Sequence, residues 1–101
     1  MNVTCKTICD GVAVPLVVPE VFANAQKLVD EVMLVSEDAV KTAIKRLALR
    51  NKLVAEGSAA LSVAAALATP LEKRGTSVCI VTGGSIDPEL FISIVSDPAL
   101  D

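Results

Sequence analysis

Apolar residues recur at helical spacing in several parts of this chain, and short continuous apolar runs lie between them. The first helical pattern begins at Pro19, because proline is tolerated in the first turn of a helix, and it predicts a helix over residues 19–30. Its apolar face consists of Val21, Phe22, Ala25, Leu28 and Val29. The final helix is predicted from Asp87 as the N-cap and Pro88 as the first helical residue.

Two further helices are predicted in the middle of the chain. Ser36 is a typical N-cap residue, and Glu37 and Asp38 follow it in the first turn, where carboxylates suit the helix dipole. The buried face of this helix consists of Val40, Ala43, Ile44 and Leu47, and its basic residues (Lys41, Lys45, Arg46 and Arg50) are interpreted as a solvated face rather than a binding patch. After Glu56 and Gly57 comes a helix that is apolar on every side, which predicts a buried helix.

The short apolar runs "EVMLVS" (31–36) and "SVCIVT" (77–82) have the length of β-strands. The predicted order is therefore α-β-α-α-β-α, which indicates an α/β fold with parallel strands. We expect a single domain over residues 1–101, built as a partial three-layer fragment in which few parallel strands are covered by helices. Two strands make a marginal sheet, so the pattern is typical of a part of something larger.

Composition narrows the classes of function. Hydrophobic residues make up 52% of the chain but only two are aromatic, so the core must consist of Val, Leu, Ile and Ala. The net charge is −3, with no basic stripe and no Tyr or Trp for base stacking, which argues against nucleic acid as a partner. The longest apolar stretch, residues 60–68, is too short to span a membrane, and the N-terminus lacks the apolar segment of a signal peptide. We therefore expect a cytoplasmic protein without membrane partners.

Cysteine usage agrees with a reducing compartment. The three cysteines, Cys5, Cys9 and Cys79, are an odd number, which makes a disulfide framework improbable. Cys5 and Cys9 are spaced so that both thiols could bind one metal ion. The chain has no histidine, however, and two thiols do not complete a zinc site. We interpret the cysteines as structural thiols and expect no metal.

Three places could carry chemistry. In "VTGGSID" (81–87), adjacent glycines at the end of a predicted strand would let a ligand approach the backbone, although a tight turn explains them at least as well. Glu56 stands before an apolar helix, where it could either hold a backbone N–H at the helix start or face a ligand. Asp10 and Gly11 taken alone indicate only a turn.

Three stretches in this order resemble a known family. "TICDGVAV" (7–14), "NKLVAEGSAALSVAAAL" (51–67) and "VCIVTGGSID" (78–87) are similar to the C-terminal part of the catalytic domain of threonine dehydratases. These are the threonine ammonia-lyases and serine dehydratases among the tryptophan-synthase-β-like pyridoxal-phosphate enzymes. The resemblance implies conversion of L-threonine or L-serine, giving 2-oxobutyrate and ammonia from threonine, in amino-acid metabolism such as isoleucine biosynthesis.

The resemblance also implies cofactor-binding residues. Thr82 matches the hydroxyl residue that bonds the pyridine nitrogen of pyridoxal phosphate, and Gly83 and Gly84 would let the loop approach the ring. Ser85 stands where the family usually has asparagine. Glu56 matches a glutamate near the cofactor, and Gly11 with Asp10 matches a turn on the rim of the active site.

Two of the family's motifs do not occur in this chain: the one with the Schiff-base lysine and the glycine-rich phosphate loop. The six lysines here (Lys6, Lys27, Lys41, Lys45, Lys52 and Lys73) stand in other contexts. We therefore expect a fragment with no catalytic residue of its own, inactive alone, that binds no cofactor by itself. The alternatives are a subunit that complements an N-terminal dehydratase fragment and a non-catalytic, self-associating interaction module. Either way, we expect an oligomer.

Overall fold

Helices form all of the regular structure of residues 4–101, the part of the chain that the computed structural model describes. The five α-helices are α1 (Pro19–Leu28), α2 (Glu37–Arg46), α3 (Gly57–Ala68), α4 (Leu71–Arg74) and α5 (Pro88–Ser96). A 3-10 turn covers Asp10–Val12, and a π-helical turn, Leu47–Asn51, continues α2. The predicted helices are thus confirmed, and α4 is an additional short helix that the sequence pattern did not predict.

Side-chain caps fix where two of the helices begin. The Ala39 N–H donates to the Ser36 hydroxyl at 3.1 Å, and the Leu90 N–H donates to the Asp87 carboxylate at 3.1 Å. Each cap satisfies one of the free N–H groups of a first helical turn. Both predicted N-caps are therefore confirmed.

The core lies between α2, α3 and α5. Helix α2 contributes Val40, Ala43 and Ile44, which are almost fully buried. Against them, α3 packs Ala59, Ala60 and Ala64, and α5 adds Ile94. Because alanine has a short side chain, the helices can approach closely at this face. The predicted burial of α3 is confirmed only in part, since one face is buried while Leu67 and Ala68 at its end are exposed.

The predicted parallel strands are not formed, so the α/β three-layer prediction is wrong. Residues 31–36 and 77–82 have no regular structure, and across residues 4–101 only Leu16 has the geometry of an isolated bridge. The side chains of the two runs are largely exposed, with Leu34 95% and Val78 85% accessible. A strand is held by hydrogen bonds to a neighbouring strand, and residues 4–101 supply no such neighbour for either run.

A strained turn directs the chain from α2 toward the candidate site. Lys52 closes the π-helical turn with φ of 61°, in the left-handed region that favours glycine. The Leu53 N–H donates to the Leu47 carbonyl at 3.0 Å and fixes the reversal. Residues 53–56 then run to the start of α3. Within residues 4–101, no helix combines the length and the apolar character needed to cross a membrane.

Candidate functional site

Glu56, immediately before α3, joins two of the three stretches singled out in the sequence. Its backbone N–H donates to the Gly83 carbonyl at 3.1 Å, and its carboxylate Oε2 accepts the Ser85 N–H at 3.0 Å. The two hydrogen bonds run in opposite directions between the same two segments. Glu56 therefore holds the loop 83–85 through both its backbone and its side chain.

The adjacent glycines are explained by contacts within the chain. A Cβ added at Gly83 would lie 3.2 Å from Cδ and from both carboxylate oxygens of Glu56. A Cβ added at Gly84 would lie 2.6 Å from the Val54 carbonyl oxygen, closer than real Cβ contacts come. The loop thus needs glycine at residue 84 to approach the Val54 backbone, whereas a side chain at residue 83 would require the Glu56 carboxylate to move slightly, whether or not a ligand also approaches the loop.

The third stretch, residues 7–14, also packs against the start of α3. A Cβ on Gly11 would be 2.9 Å from the Ser58 Oγ and 3.5 Å from the Glu56 Oε1, and a Cβ on Gly57 would be 2.5 Å from the Ile8 carbonyl oxygen. The turn at Asp10–Val12 is therefore packed directly on the first residues of α3. The start of α3 is thus in contact with residues 8–11 and with residues 83–85.

A small acidic groove opens at this junction. Its volume is about 80 Å³. It is lined by Ile8, Asp10, Glu56, Gly57, Ser85, Ile86, Asp87 and Leu90. Three of these residues carry carboxyl groups and none carries a positively charged side chain, so the side chains of the groove disfavour an anionic group.

Thr82 lies at the edge of this arrangement. It directly precedes the loop 83–85, its side chain is exposed, and among residues 4–101 its hydroxyl has no hydrogen-bond partner. Thr82 does not line the groove. The structure therefore brings Glu56, Gly83, Ser85 and Gly11 together, with Gly84 against Val54, and leaves the Thr82 hydroxyl available to an external group.

The segment before the Asp10 turn is anchored by α2. The Thr7 hydroxyl and the Ile8 N–H both donate to the carboxylate of Glu37, the latter at 3.2 Å. Cys9 follows, with only 5% of its surface accessible. Burial raises the pKa of the Cys9 thiol, the nearby carboxylates of Glu37 and Asp10 raise it further, and a hydrogen bond with Thr7 partly opposes them.

Sequence reasoning missed three participants in the site. Glu37 was predicted only as a first-turn carboxylate, yet it anchors residues 7 and 8. Ser58 contributes a buried hydroxyl that lacks a hydrogen-bond partner within the described part of the chain. The Val54 carbonyl faces Gly84. For Ser58 and Val54 the sequence signal was the glycines that they contact, Gly11 and Gly84, which lie far away along the chain; no sequence signal indicated the contacts of Glu37.

This chain belongs to the family of pyridoxal-phosphate dependent enzymes. The sequence profile of that family matches residues 1–83, which include Gly11, Glu56, Thr82 and Gly83. The family predicted from the three stretches is thereby confirmed.

Particular relatives are threonine-degrading enzymes. The chain is 39% identical over 95 residues to the L-threonine ammonia-lyase of Geobacter sulfurreducens, and the aligned region covers 93% of this chain and 23% of that enzyme. It is 37% identical over 87 residues to the catabolic L-threonine dehydratase TdcB of Escherichia coli, covering 83% of this chain and 26% of that enzyme. The L-threonine ammonia-lyase of Thermotoga maritima is 38% identical over 91 residues, covering 89% of this chain and 22% of the enzyme. The chain thus spans about a quarter of the length of these relatives.

Proposed function

We propose that this chain forms one wall of the pyridoxal-phosphate pocket of an L-threonine or L-serine dehydratase and is inactive by itself. The observation that carries the proposal is the junction at Glu56. Hydrogen bonds of Glu56 join the stretches 51–67 and 78–87, and the stretch 7–14 packs against the same residues, although all three are far apart in sequence. The similarity to threonine ammonia-lyases supports the substrate class.

The residues present fit one side of the cofactor. Pyridoxal phosphate, when bound, supplies an electron sink for the reaction. The exposed Thr82 hydroxyl can donate a hydrogen bond to the ring nitrogen of the cofactor. Because the hydroxyl is neutral, it does not favour protonation of that nitrogen as a carboxylate would. The bonded loop 83–85 would hold this hydroxyl at the wall of the pocket.

The size and charge of the groove support inactivity of the chain alone. Ligand pockets enclose roughly 300–1,000 Å³, whereas this groove has about 80 Å³. The carboxyl groups of Asp10, Glu56 and Asp87 would repel a phosphate group. A phosphate site and a lysine for covalent catalysis would therefore have to come from other parts of a dehydratase.

The first test is a titration of the purified chain with pyridoxal phosphate, followed by addition of L-threonine and detection of 2-oxobutyrate. We expect neither saturable binding nor turnover. Saturable binding with turnover would overturn the proposed inactivity, and it would mean that one of the six lysines of this chain takes the covalent role.

A chimera tests the role of the wall directly. In the L-threonine ammonia-lyase of Geobacter sulfurreducens, the region similar to this chain is replaced by the corresponding residues of this chain. We expect a chimera that binds pyridoxal phosphate and deaminates threonine. Thr82→Val should lower its kcat/KM about tenfold or more, by loss of one hydrogen bond in a closed site, and Thr82→Ser should preserve it.

Thr76→Val is the matched control, because Thr76 is also an exposed threonine but lies outside the site. A chimera that folds without binding the cofactor would refute the proposed wall. Unchanged kcat/KM in Thr82→Val would refute the role of its hydroxyl.

A second candidate function is a non-catalytic module that associates with a second copy of itself. The exposure of three successive apolar residues, Val32, Met33 and Leu34, favours it, because contiguous exposed apolar residues mark interaction surfaces. Light scattering over a range of concentrations tests for a dimer, and the chimera described above separates the candidates. A dimer of this chain together with a chimera that folds but does not bind pyridoxal phosphate favours the self-associating module. Turnover of threonine that appears when this chain is mixed with an N-terminal dehydratase fragment favours a complementing subunit instead.

The three free cysteines support a cytoplasmic location for either form.

A further inference from the structure

We propose that Glu56 is a positioning residue, whose carboxylate clamps the loop 83–85 and thereby sets the location of Thr82. The consequence for Thr82 rests on the function proposed above, whereas the clamp itself does not. The resemblance to the family implies only that Glu56 lies near a cofactor. Its hydrogen bond with the Ser85 N–H indicates that it also holds the loop 83–85 in position.

The side chain of Glu56 is not used to cap its own helix. Glu56 occupies the N-cap position of α3, where a carboxylate would ordinarily accept an N–H of the first turn. It makes no such bond, and its Oε2 accepts the Ser85 N–H, 29 residues further along the chain. The carboxylate therefore stabilises the loop and not the helix start.

The loop has few other hydrogen bonds. Within it, the Ile86 N–H donates to the Gly84 carbonyl at 3.0 Å, which closes a local turn. The bonds that join residues 82–85 to another segment of the described chain are the two made by Glu56. Removing the carboxylate would thus leave one backbone hydrogen bond to hold the loop against α3.

Steric fit strengthens the clamp. The carboxylate occupies the space that a side chain at residue 83 would need, with all three of its atoms 3.2 Å from that Cβ position. A hydrogen bond to an ionised acceptor is about twice as strong as a neutral one. Glycine at 83 and a carboxylate at 56 are therefore matched to each other, and changing either one should disturb the same contact.

Hydrogen exchange of the Ser85 amide tests the clamp in the 101-residue chain. Glu56→Ala should speed exchange at this amide about tenfold to a hundredfold, because one charge-assisted hydrogen bond is lost. Glu56→Gln keeps an oxygen acceptor of the same length and should restore most of the protection. Glu56→Asp keeps the charge but is one methylene shorter, so it should not restore protection.

Asp87→Ala is the matched control, because Asp87 accepts the Leu90 N–H through its side chain. It should speed exchange at Leu90 and leave Ser85 unchanged, whereas Glu56→Ala should do the reverse. A loss of protection at both amides in Glu56→Ala would indicate general unfolding of the region and would overturn the specific role.

A double-mutant cycle supplies an independent measurement. Gly83→Ala should speed Ser85 exchange in the wild-type chain, because its Cβ displaces the carboxylate, and should add little in the Glu56→Ala background. Additive effects of the two changes would refute the coupling.

The clamp and the proposed function fail in different ways. If Ser85 exchange responds as expected but the chimera described above does not bind pyridoxal phosphate, the clamp stands and the proposed function falls. If the chimera is active and Ser85 exchange is the same in Glu56→Ala as in the wild-type chain, the clamp falls and the pocket wall stands.

Discussion

Helix α3 and the run 77–82 are both strongly apolar, yet α3 has a buried face whereas the run is largely exposed. Ala59, Ala60 and Ala64 of α3 are at most 1% exposed, whereas Val78 and Ile80 of the run are 85% and 66% exposed. The run does lie beside α3, since the Ser62 hydroxyl donates to the Ile80 carbonyl at 2.9 Å. Its contact with the helix is therefore partly polar, and most of its apolar surface remains in solvent.

The difference follows from how each element satisfies its backbone. A helix forms its hydrogen bonds internally and needs only one packed face, which α2 provides for α3. A strand depends on a neighbour for its hydrogen bonds, and a buried parallel strand also needs cover on both faces. Apolar character predicts that burial is favourable for both segments, but within the described residues only the helix packs a buried face against a neighbour.

Truncation of a buried isoleucine should have the largest effect on this comparison. Ile44→Ala removes a fully buried side chain from α2 and should lower the free energy of unfolding by about 2–5 kcal/mol. Ile80→Ala makes the same chemical change in the exposed run and should cost less than about 0.5 kcal/mol. Urea unfolding of both variants measures the contrast. Equal losses would mean that the run is buried in solution, for example in an oligomer.

Substitution of Gly57 should have an intermediate effect. The Cβ of Gly57→Ala would be 2.5 Å from the Ile8 carbonyl oxygen, so residues 8–11 or the start of α3 must shift. We expect a loss of about 1–3 kcal/mol, as for overpacked sites. Ser58→Ala in the next position is the control. Its hydroxyl has no partner in residues 4–101, so unfolding by urea should show stability unchanged or slightly higher. Destabilisation by Ser58→Ala alone would contradict this packing.

The smallest expected effect concerns alkaline pH. Burial raises the pKa of the Cys9 thiol in the folded chain above its unfolded value, so the folded state binds the proton more tightly. The associated stability is fully present below the unfolded pKa and is lost as pH rises through the folded pKa. Unfolding measured from neutral pH upward should show this decline, and Cys9→Ala should remove that part of it.

Cys79→Ala is the control for this effect, because Cys79 lies in the exposed run and not in the core. It should keep the decline seen in the wild-type chain. Removal of the decline by Cys79→Ala, and not by Cys9→Ala, would mean that the run is the more buried of the two regions.

The sequence predicted those features that depend on local chemistry. Ser36 and Asp87 act as N-caps because cap and helix are adjacent in the chain. The buried face of α2 follows from the spacing of Val40, Ala43 and Ile44. The sheet was predicted wrongly because a strand pattern indicates only the tendency to pair, and pairing requires a partner elsewhere.

The candidate site shows the same division. Its residue types and its family could be predicted from three short stretches, and the match to pyridoxal-phosphate dependent enzymes confirms the family. The partners of its glycines could not be predicted. Gly83 contacts Glu56, Gly84 contacts the Val54 carbonyl, and Gly57 contacts the Ile8 carbonyl. No local rule relates residues that are tens of positions apart.

The sequence by itself determined four of the five α-helices of residues 4–101, the N-caps at Ser36 and Asp87 and the family, because each depends on neighbouring residues or on a short motif. The tertiary structure decided that the Glu56 carboxylate bonds Ser85 rather than its own helix, and that two apolar runs remain unpaired. The physical reason is that caps and helices are satisfied within a few residues, whereas a clamp or a strand is satisfied only by a distant segment that the fold brings within hydrogen-bonding distance.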